Sequence, residues 1–286
     1  MEPSVAGRTD NAPPARLTVI APPSRFVPVD PAELWSYRDL LYYLTLRDIQ
    51  VKYKQTAIGV AWAVLQPLVS MIVFTLFFGK LAGLPSEGVP YPVFSFVGLL
   101  PWTYFATALQ FGSTSLVTNA GLVQKVYFPR LLLPAGSAIA ALLDLFIAML
   151  FLLVLLAAYG VHPTARVCWL PAFVLLAFLT ALGCALWLAA VNVKYRDVQF
   201  AIPFLIQVWL FVTPVVYPSS LVPPSLRLLY GLNPLVAVVE GFRWALLGKP
   251  FPATGMMIVS TLVGLGLLIG GAYYFRRMEN EFADVV

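Results

Sequence analysis

After a polar start, the chain shows one amphipathic stretch followed by a series of long apolar runs. Leu34, Tyr37, Leu41 and Leu44 recur at spacings of three and four, which stacks them on one face of a helix. Ser36, Asp39, Tyr43, Arg47 and Gln50 fall near the opposite face. The apolar stripe is interrupted at Asp48 and Lys52, so residues 32–55 read as an amphipathic helix lying in a membrane interface. A soluble helix packed on another domain is the alternative, but the chain contains no other soluble domain. A spanning helix needs about 20 predominantly apolar residues. Six runs meet that: 57–79, 93–117, 131–159, 167–191, 198–217 and 254–275. Pro67, Pro101, Pro134, Pro171, Pro203 and Pro214 lie in or at the ends of these runs, where membrane helices tolerate them.

Residues 219–248 are apolar but broken twice. Pro223-Pro224 start a short helix over 221–231, and Asn233-Pro234 supply the cap and first residue of a second over 234–247, closed by Gly248. Neither reaches spanning length, so both are expected to dip into one leaflet and return. The pattern predicts an all-α polytopic membrane protein: six transmembrane helices, an N-terminal interface helix and two re-entrant helices between spans five and six. Residues 56–286 form one transmembrane domain. Residues 1–31 hold seven prolines and no apolar core of a signal peptide, which predicts a disordered arm.

Composition supports this class. Hydrophobic residues make up 60% of the chain and charged residues 11%, against about 45–50% and about 25% in soluble domains. The net charge of +5 comes from basic residues scattered between apolar runs, which argues for membrane topology and against nucleic acid. With the N-terminus inside, ten near-membrane Lys and Arg face the cytosol: 38, 47, 52, 54, 125, 130, 194, 196, 276 and 277. Five, at 80, 166, 227, 243 and 249, face out. That bias places both termini in the cytosol. Cys168 and Cys184 would lie about 24 Å apart on one helix, beyond disulfide reach. His162 has no companion for a metal site.

The chain has no nucleotide site of its own. Gly248-Lys249 is followed by Pro250 where a phosphate loop needs Ser or Thr, and Arg243 stands where its first Gly belongs. No paired carboxylates or nucleophile arrangement appear, so an enzyme is not expected. Asp144 is the one acid deep in a span, which marks it either as a hydrogen-bonding partner of a neighbouring helix or as a functional group. Aromatics are abundant. Phe200, Phe204 and Phe211 share a face with Gln207, and the first span offers Trp62, Phe74, Phe77 and Phe78. Rings interleaved with amides suit sugar faces and hydroxyls; helix packing and interface belts are the alternative. In 119–130, Leu122, Val123, Val126, Tyr127 and Phe128 form an amphipathic patch suited to a partner protein or to interfacial anchoring. Gly266 and Gly270 form a GxxxG that permits a dimer seam.

The stretches LRDIQVKYKQTAIGVAWAVLQPL (46–68), QKVYFPR (124–130), VKYRDV (193–198) and NPLVAVVEGFRWALLG (233–248) resemble the membrane subunit of ABC-2 type exporters of polysaccharides. That family serves O-antigen, teichoic acid and capsule export, and the likeness runs from about residue 34 to the end. It implies a homodimeric permease in the bacterial cytoplasmic (inner) membrane that docks two copies of an ATP-binding subunit. ATP and Mg would then be bound by that partner, not by this chain. The substrate would be a lipid-linked polysaccharide, moved outward amid membrane lipids. Residues 34–54 and 119–130 would meet the ATPase, the latter through Leu122, Gln124, Lys125, Val126, Tyr127, Phe128 and Arg130. The short outer helices, with Asn233, Pro234, Glu240 and Arg243, would form an outer gate, and the first and fifth spans would line the pore. Arg47, Lys52 and Lys54 would meet lipid headgroups or the substrate's phosphates at the inner mouth. The rivals are a drug or small-lipid exporter of the same family and a secondary transporter driven by protons through Asp144.

Overall fold

The computed structural model describes residues 31–54 and 59–285. The expected arm therefore lies outside the described residues except for Pro31, as do the end of the interface helix at 55 and the start of the first span at 57. Described in chain order, the helices are α1 Pro31–Ser36, α2 Arg38–Tyr53, α3 Trp62–Phe74, α4 Tyr91–Thr118, α5 Ala120–Lys125, α6 Leu132–Ala158, α7 Leu170–Lys194, α8 Val198–Val212, α9 Arg227–Tyr230, α10 Leu235–Leu247 and α11 Thr254–Val285. A 3₁₀ turn at Gly59–Ala61 leads into α3, and a π-helical segment at Thr75–Leu81 prolongs it.

Among the described residues, five helical stretches are long and apolar enough to cross a membrane: Gly59–Leu81, Tyr91–Thr118, Leu132–Ala158, Ala165–Lys194 and Thr254–Glu279. The sixth expected span, 198–217, departs from the pattern. Its helix stops at Val212 after 15 residues, about 22 Å at 1.5 Å per residue. Thr213 precedes Pro214 and turns extended (ψ 144°), as a residue before proline is driven to do. The short helix expected over 221–231 is also corrected. It dissolves into two 3₁₀ turns, Ser219–Leu221 and Pro224–Leu226, plus the single α-turn of α9, because Pro223-Pro224 remove successive N–H donors. Its neighbour α10 forms as expected. Asn233 Oδ1 accepts the Leu235 N–H (3.0 Å) at its start, and Gly248 takes the left-handed conformation (φ 65°) at its end.

α4 is the most buried of the five long stretches and lies at the centre, in contact with α3, α6, α7, α8 and α10. One end of the bundle gathers 119–131, 194–197 and the C-terminal turns of α11; we call it the loop end. The other, the gate end, gathers 82–90, 159–164 and 213–253. The amphipathic helix does not lie flat across the loop end. Leu44 sits over Gly136, Asp48 accepts from the Ser137 hydroxyl (3.0 Å), and Lys52 pairs with Asp144. Eight residues along α2 thus match eight along α6, so the helices run side by side.

Among the described glycines, the closest backbone-to-backbone approach is between α7 and α11. A β-carbon at Gly183 would meet the Leu268 backbone nitrogen at 2.6 Å, and one at Gly271 the Gly183 carbonyl at 2.6 Å. Helices in lipid associate through such close packing, since apolar burial gives no advantage there. The GxxxG pair takes little part in this crossing: Gly266 meets nothing else in the described chain, and Gly270 rests on Trp187. Gly183→Leu is expected to lower stability by about 1–3 kcal/mol through overpacking, while Gly266→Leu leaves it unchanged. Melting curves of the two variants in detergent, matched within a degree, would refute this assignment.

Candidate translocation surface, coupling loop and gate-end knot

The geometry between α2 and α6 begins with Asp144. Its carboxylate accepts from the Lys52 ammonium and the Tyr53 hydroxyl, both on the last turn of α2. Asp144 lies twelve residues into α6, about 18 Å from its start. The end of α2 is therefore pinned at mid-helix depth. Asp48, one turn back, pairs with Arg47 (2.8 Å). A cavity of about 410 Å³ opens between α2, α4 and α6, lined by Arg47, Asp48, Lys52, Tyr53, Phe111 and Ser137 among others. Lys52 also lies 5.9 Å from the Phe111 ring centroid. Of the three cations expected at an inner mouth, Arg47 and Lys52 have carboxylate partners, while Lys54 is exposed just past the helix.

The 119–130 segment divides its residues between two directions. Val123 and Phe128 are buried beside Leu131, Phe275 and Phe282. Leu122 is half-buried, whereas Gln124, Lys125, Val126 and Tyr127 are exposed, Tyr127 at 86%. Val126 is extended (φ −128°, ψ 133°), and that reversal carries Tyr127 outward and Phe128 inward. Arg130 is held inside by Glu279, whose carboxylate accepts the Arg130 N–H (2.9 Å) and whose carbonyl accepts from the Arg130 guanidinium.

The aromatic candidates fall mainly on uncovered faces. Trp62 and Phe77 on the α3 stretch, and Phe200, Phe204, Gln207 and Phe211 on α8, are exposed; Phe74 and Phe78 are half-buried and meet edge to face (5.7 Å). The opposite face of α8 holds Ile202 and Trp209, and Trp209 packs edge-on against Phe105 of α4 (5.2 Å). Both α3 and α8 touch α4; Trp62 and Phe77 on the α3 stretch and the Phe200, Phe204 and Phe211 face of α8 stay exposed, while Phe74 packs on the core.

At the gate end the four candidate residues build one knot. Arg243, 1% exposed, donates to Glu240 (3.1 Å) and to the carbonyls of Tyr217 (3.2 Å) and Val215 (2.6 Å). Its guanidinium lies 3.7 Å from the Phe94 ring centroid. Glu240 also accepts the Ser219 N–H (3.2 Å). Asn233 accepts from Trp209 Nε1 (3.1 Å) and donates to Thr213 Oγ1 (3.0 Å). Pro234 follows as the helix-entry residue of α10. The knot thus ties the end of α8 to α10 and α4. Glu87, at φ 55°, accepts from Ser220 (2.8 Å) and extends the knot to the 82–90 loop. Among the described residues, no three His, Cys, Asp or Glu side chains gather as a metal site requires.

Several of these contacts are invisible to spacing rules. Asp48–Ser137 and Lys52–Asp144 join residues about ninety positions apart. Phe275, Glu279 and Phe282 do carry a signal, recurring at offsets of four and seven beyond the expected end of the last span.

Comparison with known proteins adds an independent line. The family described as ABC-2 type transporter matches residues 39–247, from the first turn of α2 to the end of α10. The O-antigen export system permease protein RfbA of Myxococcus xanthus is 32% identical over 257 residues, covering 89% of this chain and 98% of that protein. Its Klebsiella pneumoniae namesake is 24% identical, covering 87% and 95%. The polysialic acid transport protein KpsM of Escherichia coli is 26% identical, covering 82% and 92%.

Proposed function

Since the chain belongs to the ABC-2 type transporter family, we propose that it is the permease subunit of an ATP-driven exporter moving a lipid-linked polysaccharide outward across the bacterial cytoplasmic membrane. The observation that carries this reading is the near full-length match to permeases named for O-antigen export, with a polysialic acid transporter beside them. The loop end faces the cytosol with both termini, a reading supported by the bias of Lys and Arg toward that side. A second copy of the chain covers the α3 and α8 faces, so that Trp62, Phe77, Phe200, Phe204, Gln207 and Phe211 line a shared path. Flat rings there contact sugar faces without fixing any one residue of the polymer, and this lets the chain advance. The gate-end knot closes the outer side.

Phosphate recognition at the inner mouth narrows to Lys54 and the exposed part of Arg47, because Asp144 neutralises Lys52. That pairing also favours the exporter over a proton-driven transporter: Asp144 serves as a counter-ion. Two ATP-binding subunits dock at the loop end through Gln124, Lys125, Val126 and Tyr127, with Phe128 as the anchor beneath. Co-purification tests this. Val126→Asp with Tyr127→Asp should cut recovery of the ATPase subunit about tenfold, roughly the 1.4 kcal/mol that one factor of ten represents, at unchanged permease yield. Normal recovery and ATP hydrolysis with both aspartates present would remove the role.

A further inference from the structure

α11 runs from Thr254 to Val285 without a proline, 32 residues in one helix, about 48 Å long. It is bonded to a different functional element at each end. Near its start, Ser260 is fully buried. Its hydroxyl donates to the Asn233 carbonyl (2.8 Å) and accepts the Ala237 N–H (2.9 Å), gripping the first turn of α10 and the residue that holds α8. Near its end, Phe275, Glu279 and Phe282 share one face. The two rings are fully buried, 5.1 Å apart edge to face, in the cluster that holds Val123 and Phe128. Glu279 lies between them and holds the Arg130 backbone. Arg276 bridges Glu279 (3.0 Å) to Glu33 of α1 (2.7 Å), which closes a mostly buried network of two cations and two anions.

We propose that α11 is the element that carries movement of the coupling loop to the gate end, with Glu279 and Ser260 as its positioning residues. The inference rests on the permease reading above. A continuous helix with no proline in its interior shifts as one body, and each end is fixed by directional bonds to the element it would drive. Coupling between distant sites requires such an element, biased from both ends. α4 also joins the two ends, from Phe94 and Tyr91 at the knot to the coupling segment, but Pro101 interrupts its backbone ladder where α11 has no proline, and α6 begins only after the coupling segment.

The test uses the permease–ATPase complex in nanodiscs, with Cys168 and Cys184 replaced by alanine and a reporter at Leu229→Cys, an exposed position of α9. The rate of maleimide labelling is measured with and without vanadate-trapped nucleotide. Trapping is expected to change the rate about fivefold in the reference complex. Glu279→Gln and Ser260→Ala should each abolish that change while retaining the ATPase subunit, and Ser260→Thr, which keeps the hydroxyl, should restore it. If Glu279→Gln fails to fold, Ser260→Ala decides alone, since it lies far from the docking loop. A full nucleotide-dependent change in Ser260→Ala, or none in the reference complex, overturns the proposal. A reference permease that retains no ATPase subunit overturns the permease reading and, with it, this inference.

Discussion

Arg243→Ala is expected to destabilise the permease strongly. The guanidinium is enclosed, paired with Glu240, bonded to two carbonyls and laid over Phe94. Its loss strands a buried carboxylate, an effect of about 3–5 kcal/mol. It also leaves the Val215 and Tyr217 carbonyls without the donor described above, each costing on the order of 1–3 kcal/mol if water cannot reach it. These penalties are not additive, yet a loss of about 3 kcal/mol alone lowers the melting temperature by roughly 5 °C, at about 2.1 cal/mol/K of unfolding entropy per residue. Arg243→Lys should recover only a minority of the loss, because a point ammonium cannot span three acceptors or stack on a ring. Thermal melting of the purified protein by tryptophan fluorescence gives the order wild type, Lys, Ala. An alanine variant that melts within 2 °C of wild type would show that the knot is dispensable.

The second large effect is expected at Asp144. Asp144→Ala leaves the Lys52 ammonium with its chief partner gone, at the depth where α2 rests on α6. The pair is partly accessible, 34% on Lys52 and 15% on Asp144, so its loss is put at about 1–3 kcal/mol rather than the full cost of a buried pair. The consequence is release of α2, which can be read by cross-linking. A β-carbon at Gly136 would lie 3.6 Å from that of Leu44, within the usual disulfide range of about 3.5–4.5 Å. In a background without Cys168 and Cys184, Leu44→Cys with Gly136→Cys should cross-link readily. Asp144→Ala should slow this at least threefold, and Lys52→Asp with Asp144→Lys should restore most of it. Asp144→Asn separates the rivals, because a proton-driven transporter loses transport with ATP hydrolysis intact, whereas an exporter using Asp144 as counter-ion keeps measurable export. Equal cross-linking rates in all variants would mean that the pair does not hold α2.

How much of this was legible beforehand depends on whether a feature is local. The ends of α4 and α6 fell within two residues of the apolar runs at 93–117 and 131–159, because length and hydropathy decide such helices. The Asn233-Pro234 start and Gly248 stop of α10 were legible because caps are one-residue chemistry. What failed was tertiary. The run 198–217 looked continuous, yet Thr213-Pro214 turned the backbone extended and Arg243 took the carbonyls beyond it. Periodicity identified the apolar face of α2 but had no means of showing that it follows α6, a direction set by Ser137 and Asp144 far along the chain. Val126 through Phe128 read as one patch, and a single extended residue separated its members. Among the described residues, nothing covers the α3 and α8 faces that carry Trp62, Phe77, Phe200, Phe204 and Phe211.

Vesicles holding the purified permease with its ATP-binding subunit and a lipid-linked polysaccharide test the exporter reading most directly. The measurement is how much polymer becomes accessible to an added glycosidase on the far side of the membrane. The predicted result is translocation that requires hydrolysable ATP, disappears in vesicles lacking either subunit, and is indifferent to an imposed proton gradient. Polymer that crosses without ATP, or that follows the proton gradient while ATP is absent, would contradict it.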